Sequence, residues 1–475
     1  MTTMLHQKPH QTEIDVIDVL PGEQADSRRP AAGSEGGVRP AGHFRDFVLA
    51  RRSENRLILQ PRMGFSDPAL MRRGLELVRA ATAPTIGTIT LDSYTRMGDL
   101  EGARRALDAG KELNGYPIVT YGEERNRRLV DGLLGAAFPI QIRHGSPLPE
   151  PIFRALIAAG IEATEGGPIS YCLPYSRVPL AATVRSWQHC CRMLAGLEQN
   201  GVVGHLESFG GCMLGQLCPP AMLLTLTLLE ARFFREHGIK SLSLSYAQGY
   251  NEPQDVGAIL ALRQLASESL QDVDWHVVVY CFMGNFPRSR SGSRRLIEDS
   301  ARLAVKAGAA RLIVKTGAEA YQIPTIEDNL EAIEWSRLAA AQPKALPGAA
   351  EHRHREALYA ETSALLAAIL DLAPTVGEAI QIGFREGYLD VPFCLHPDNR
   401  NRARSWLDGD GSIYWSDPGR IPLPAHLRDA VGRPRQISTS RDLAKMLAFN
   451  QERYDAPAAA RPDHSWPANA DVPEV

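Results

Sequence analysis

The sequence predicts an α/β fold: a (β/α)8 TIM-type barrel with a small C-terminal α+β extension and disordered termini. Three observations lead there. Short, near-continuous apolar runs alternate with amphipathic stretches, as expected of parallel strands covered on both faces by helices. No glycine fingerprint of an open nucleotide-binding sheet follows an early strand. Charged and hydrogen-bonding groups instead sit just past the C-terminal end of strand after strand, where barrel enzymes carry their sites.

Residues 1–45 are rich in Gly, Pro, Ser and charge, as in Pro21-Gly22-Glu23, and predict a disordered arm. The barrel is expected over 46–340. Its candidate strands are Leu57–Gln60, Thr85–Leu91, Pro117–Tyr121, Pro139–Arg143, Ile161–Glu165, Val202–Leu206, Ser241–Tyr246, Trp275–Tyr280 and Arg311–Lys315. Nine runs compete for eight places, so one of them is not a strand. Helices are expected at Leu70–Ala80, at Leu223–His237 between Pro219-Pro220 and Gly238, and at Ser293–Ala307 before Gly308. Residues 341–453 read as a proline-containing linker, a helix near 356–372 and a small subdomain rich in Asp, Gly and Pro. Residues 454–475 read as a disordered tail.

The composition is that of an ordinary soluble globular protein: 44% hydrophobic and 23% charged residues among 475. A net charge of −3 offers no basic field to nucleic acid. No window of about 18 apolar residues predicts a membrane span, and the first residues lack the apolar stretch of a secretory signal. Seven cysteines at irregular spacing suit reduced thiols in the cytoplasm.

Only seven of the 52 basic residues are lysines, so a lone arginine means little in this chain. Three of them nevertheless stand at strand ends: Arg62 in Gln60-Pro61-Arg62-Met63-Gly64, Arg96 in Asp92-Ser93-Tyr94-Thr95-Arg96, and Arg143 before His144-Gly145. At one barrel mouth three cations repel one another unless an anion neutralises them, and the guanidinium fork suits carboxylates. A dicarboxylate is the economical ligand. Glu165 and Glu207 at the same rim suggest that it also carries an ammonium group. Lys315 ends an apolar strand in a lysine-poor chain, where a Schiff-base nucleophile is also conceivable.

These segments, with Glu165-Gly166-Gly167-Pro168-Ile169-Ser170-Tyr171 through Pro174-Tyr175 and Val314-Lys315-Thr316-Gly317-Ala318-Glu319-Ala320, together resemble the large (epsilon) subunit of glutamate mutase, also called methylaspartate mutase. The similarity runs from about residue 57 to 335 and continues weakly through Gly387-Tyr388-Leu389-Asp390-Val391-Pro392-Phe393. The resemblance implies an adenosylcobalamin-dependent isomerase interconverting L-glutamate and threo-3-methylaspartate by a radical route. It implies a claw of Arg62, Arg96 and Arg143 on the substrate carboxylates, with Glu165, Tyr171 and Tyr175 holding the substrate. On the same resemblance Glu165 would face the amino group as a proton acceptor, Lys315 and Glu319 would lie near the adenosyl ribose, and Glu207 is expected among the cofactor contacts.

In that family a separate small subunit grips cobalamin through Asp-x-His-x-x-Gly. The nearest pattern here, Asp274-Trp275-His276-Val277-Val278-Val279, ends in valine on an apolar strand and predicts a core histidine. The chain is therefore expected to need that partner subunit, as a homodimer within a heterotetramer, and to hold no metal of its own. Leu206 stands where the family's pattern has a cation, Pro168 interrupts its triple glycine, and Cys172 replaces its asparagine. Two alternatives stay open: a Schiff-base lyase acting on an acidic substrate through Lys315, and a non-catalytic dicarboxylate-binding barrel.

Overall fold

A computed structural model describes residues 43–213, 217–425 and 440–456, all within one compact unit. The chain enters through helix α1 (His43–Ser53). It then runs β1 (Ile58–Pro61), α2 (Pro68–Arg79), β2 (Gly87–Thr90), α3 (Ser93–Met97), α4 (Leu100–Asp108), α5 (Ile118–Val130) and β3 (Ile140–Arg143). Next come α6 (Glu150–Ala158), β4 (Ala163–Gly166), α7 (Leu180–Ala195), β5 (His205–Ser208), α8 (Pro220–Glu236), β6 (Ser241–Ala247) and α9 (Glu252–Ser269). β7 (Asp274–Tyr280), α10 (Arg290–Ala307), β8 (Arg311–Val314) and α11 (Ile326–Ala340) complete the repeat.

The eight strands are parallel, in the order β1-β8-β7-β6-β5-β4-β3-β2. Between β1 and β2 the ladder thins to the Leu59–Thr85 bridge and to Thr90 N–H donating to Met63 O at 2.8 Å, which closes the barrel. Gly64 is needed at this seam, because a Cβ there would collide with the Thr90 carbonyl.

The surplus strand was Pro117–Tyr121. Tyr116 makes one parallel bridge to Leu91, after which the chain turns into α5. The run is too short to show its period, and the charged stretch that follows continues as helix. The disordered arm was placed to residue 45, yet α1 begins at His43. Phe44 is fully buried, stacks on His205 at 4.1 Å and lies under the Arg311 guanidinium at 4.9 Å. Its backbone N–H donates to Glu162 at 3.1 Å. With Phe47 and Val48 it plugs the N-terminal face of the barrel. Residues 1–42 and 457–475 lie outside the described residues.

Residues paired across a parallel ladder share a face. Leu242, Leu244, Val277, Val279 and Leu312 pack outward in the main core, while most alternate positions carry polar groups into the barrel, with Ile58, Val278 and Ile313 among the aliphatic exceptions. Arg311 is fully buried there. Its Nε donates to His276 at 2.8 Å, and its two Nη atoms bond Gln60, Glu207 and Ser243. Gln60 continues to Thr88 at 3.0 Å and Gln141 at 2.6 Å. His276 is thus a core histidine: burial first, then the neighbouring Arg311, holds its pKa well below 6.5.

The C-terminal segment wraps this body. Helix α12 (Ala349–Leu370) starts directly after Pro347, earlier than the 356–372 expected, and lies along α8 and α9. Gly257 lets the helices touch, since a Cβ there would meet His354 and the Arg355 backbone. α13 (Val376–Glu386) precedes an antiparallel pair, β9 (Arg404–Leu407) and β10 (Ile413–Asp417). Gln254 on α9 ties this pair down by exchanging two bonds with the Ile413 backbone, at 3.0 and 2.9 Å. α14 (Ser440–Asp455) ends with the Asp455 carboxylate accepting the N–H groups of Arg288 and Ser289. This cover explains why α8, apolar on nearly every side, is buried all round.

Arg311→Met would leave the fully buried Glu207 without its countercharge. It is expected to lower unfolding stability by about 3–5 kcal/mol in a urea titration; a loss below about 1 kcal/mol would contradict this account of the interior.

Candidate active site

The strand ends converge as their positions require. Arg143 is the last residue of β3, and Glu165 lies one position before the end of β4, so their side chains meet inside the mouth: Arg143 Nε to Glu165 Oε2 is 2.8 Å, with both side chains buried. Burial opposes the Arg143 cation, but Glu165 and then Tyr280 and Tyr171 outweigh it and hold its pKa well above arginine's ordinary value. Glu165 Oε1 also accepts from the Tyr171 hydroxyl, and Oε2 from Tyr280 at 2.7 Å. Burial first, then Glu165, raises both phenols well above 10, so they stay protonated donors. Tyr175 stands half exposed at the lip, edge-on to Tyr171 at 5.9 Å.

Arg96 follows β2 on α3, N-capped by Asp92, whose carboxylate accepts Thr95 N–H at 3.0 Å. Its side chain crosses over Gly145; a Cβ at that glycine would lie 3.5 Å from Arg96 Cδ. His144, between these arginines, is kept neutral: burial, then Arg96 and Arg143, push its pKa down to about 3. Arg62, one residue beyond β1, reaches Glu319 at 3.3 Å. Each claw arginine retains a buried nitrogen with no protein partner: Arg62 Nε, Arg96 Nε and Arg143 Nη1. Donors left over at one mouth are a receptor for an anion, because a buried guanidinium N–H without an acceptor is destabilising.

Beside Arg62, just past the end of the neighbouring strand β8, Lys315 Nζ lies 3.0 Å from Glu319 Oε2 and 4.8 Å from the Phe286 ring centroid. Glu319 sits on a single 3-10 turn, Gly317–Ala320. Burial would raise its pKa, but Lys315 and then Arg62 hold it below the usual range. The Thr316 hydroxyl beside it is buried without a partner. An anionic acceptor, an ammonium donor and an orphan hydroxyl fit the ribose hydroxyls of a nucleoside.

Two expectations are corrected. Glu207 is not a rim anion available to a cofactor. It lies inside β5 at the level of Glu165, fully buried, with Tyr280 on Oε1 and Arg311 and Ser243 on Oε2. Leu206 removes no cation from the site, because its side chain faces the helix layer opposite Glu207 and joins the apolar core. Cys172 is buried with its thiol directed to the Val178 carbonyl at 3.2 Å, and burial pushes its pKa up to about 11. All seven cysteines are free and buried.

Two functional residues were missed. Tyr280 ends the apolar run of β7, which concealed its inward face. Glu230 interrupts the long apolar stretch of α8 before its polar last turn, and that isolation was a usable signal. It accepts from the N–H groups of Ile169 and Ser170 at 3.1 and 2.8 Å, and from the hydroxyls of Ser170 and Ser208. This fastens the loop between Glu165 and Tyr171. Gly166 turns there at φ 131°, and a Cβ at Gly167 would strike the Glu230 carboxylate. Pro168 offers its carbonyl to Thr183 at 2.9 Å, so it fits the loop.

The Methylaspartate mutase E chain family matches residues 39–439. The glutamate mutase epsilon subunit of Yersinia enterocolitica is 34% identical over 384 residues, covering 77% of this chain and 78% of that one. That of Escherichia coli O157:H7 is 32% identical over 398 residues, covering 80% and 81%. That of Haloarcula marismortui is 32% identical over 404 residues, covering 81% and 80%.

Burial raises the Glu230 pKa from 4.5 to about 7, partly offset by its Ser170 and Ser208 bonds. A carboxyl whose folded pKa is raised favours the fold at low pH, and that advantage is lost as pH rises from about 4.5 through about 7. Glu230→Gln, which does not titrate, should therefore gain about 2 kcal/mol on the wild type between pH 5 and pH 8. Denaturant titrations at both pH values measure this; a constant difference would contradict it.

Proposed function

The chain belongs to the Methylaspartate mutase E chain family, and from that premise we propose that it is the catalytic subunit interconverting L-glutamate and threo-3-methylaspartate. The observation that carries the reading is the claw: three arginines on consecutive strand ends, each with an unpartnered buried nitrogen, around Glu165. Two carboxylates would occupy such a claw, and an ammonium group would meet Glu165.

The residues divide the work. Arg62, Arg96 and Arg143 hold the carboxylates and fix which carbon faces the cofactor, so that reaction follows from position rather than from a protein nucleophile. Arg143 serves both sides, with Nε on Glu165 and Nη1 left for the ligand. Glu165, aimed by Tyr171, takes the ammonium group and is placed to accept a proton from it as the carbon skeleton fragments. Tyr175 at the lip limits water access from above.

Lys315, Glu319 and Thr316 would hold the nucleoside part of adenosylcobalamin. When bound, that cofactor supplies the carbon-centred radical that opens the reaction. A separate small cobalamin-binding subunit would bring it to the mouth, in a cytoplasmic assembly of two copies of each chain. The Schiff-base alternative is weaker, since Lys315 is engaged by Glu319 and Phe286 rather than presented as a free amine.

The test combines the full chain, adenosylcobalamin and L-glutamate, with and without a small cobalamin-binding subunit of this family, and follows 3-methylaspartate by mass spectrometry. Product is expected only when both proteins are present. No product, with the small subunit shown to bind both the cofactor and this chain, would overturn the reading.

A further inference from the structure

Tyr280 occupies a position that the claw alone does not explain. Its single hydroxyl stands between two carboxylates, 2.7 Å from Glu165 Oε2 and hydrogen-bonded to Glu207 Oε1. A phenol has one hydrogen to give, so it serves one carboxylate fully at a time. Glu207 cannot turn away, because Arg311 and Ser243 hold its other oxygen inside the barrel. The tyrosine ring is fixed as well, edge-on to Phe209 at 5.3 Å and under the Arg143 guanidinium at 5.3 Å. Only the hydroxyl hydrogen is free to choose.

We propose that Tyr280 is a positioning residue that aims Glu165 and thereby sets the preference for a dicarboxylate bearing an amino group; this rests on the amino-acid reading of the site given above. In the empty site the hydroxyl donates to Glu165 and fixes its carboxylate toward the mouth. Arg143 and Tyr280 occupy Glu165 Oε2 and Tyr171 takes one side of Oε1, so an arriving ammonium group donates to the lone pair left on Oε1, which the Tyr280 hydrogen keeps turned toward it. A dicarboxylate without nitrogen gains nothing from the arrangement, because it meets only the arginines.

Calorimetric titration of the full chain with L-glutamate and with glutarate, which has both carboxylates and no amino group, tests this without turnover. The wild type is expected to prefer L-glutamate. Tyr280→Phe keeps both ring contacts and should lose about tenfold in affinity for L-glutamate, the scale of one hydrogen bond to a charged group, with glutarate within about twofold. Phe209→Leu disturbs the ring packing without touching the hydroxyl and should shift both ligands together. A Tyr280→Phe chain that keeps the wild-type ratio of affinities overturns the assignment while the amino-acid reading stands. A wild-type chain that binds both ligands equally fails earlier, at the amino-acid reading itself, and the assignment falls with it.

Discussion

The structure depends on one buried chain of charge: Arg311 to Glu207, Glu207 to Tyr280, Tyr280 to Glu165, and Glu165 to Arg143. Two cations and two anions are removed from water together, which is tolerable only because they alternate and because hydroxyls and amides take the remaining lone pairs and protons. The arrangement gives up much of the apolar filling of the barrel interior. Cohesion comes instead from the layer between strands and helices and from the Phe44 plug beneath. In return, the floor of the site is a network with essentially one geometry, and Glu165 inherits that rigidity.

Above this floor the chain holds its functional groups by short, local devices. Arg62, Arg96 and Arg143 leave consecutive strand ends, so their backbones are set by the barrel and only their side chains reach inward. The loop between Glu165 and Tyr171 would be the loose element, and Glu230 fastens it from behind. The C-terminal segment secures the outer helices through Gln254 and Gly257 and the connection before α10 through Asp455. Function is thus concentrated on one face, while most of the added sequence works at the periphery.

Much of this was legible in the sequence, for identifiable reasons. The barrel strands announced themselves by apolar runs, and the three arginines at the mouth by their place beside turn residues. The failures share a cause: short runs hide their period. Pro117–Tyr121 passed for a strand because one helical turn and one strand look alike over five residues. Glu207 was read as a rim anion because β5 was ended at residue 206, whereas the strand runs on to Ser208 and keeps Glu207 inside the barrel. Tyr280 vanished into a strand of valines, and Phe44 into a segment whose composition resembles disorder. Each became visible only when the register fixed which side chains share a face.

The central claim is that the unpartnered nitrogens at the mouth belong to the two carboxylates of an amino acid, and Glu165 to its ammonium group. The most direct measurement is a crystal structure of the full chain soaked with L-glutamate. The account predicts carboxylate oxygens within hydrogen-bond distance of Arg62, Arg96 and Arg143, with the amino nitrogen on Glu165. A ligand bound elsewhere, or one whose amino group points away from Glu165, would contradict it.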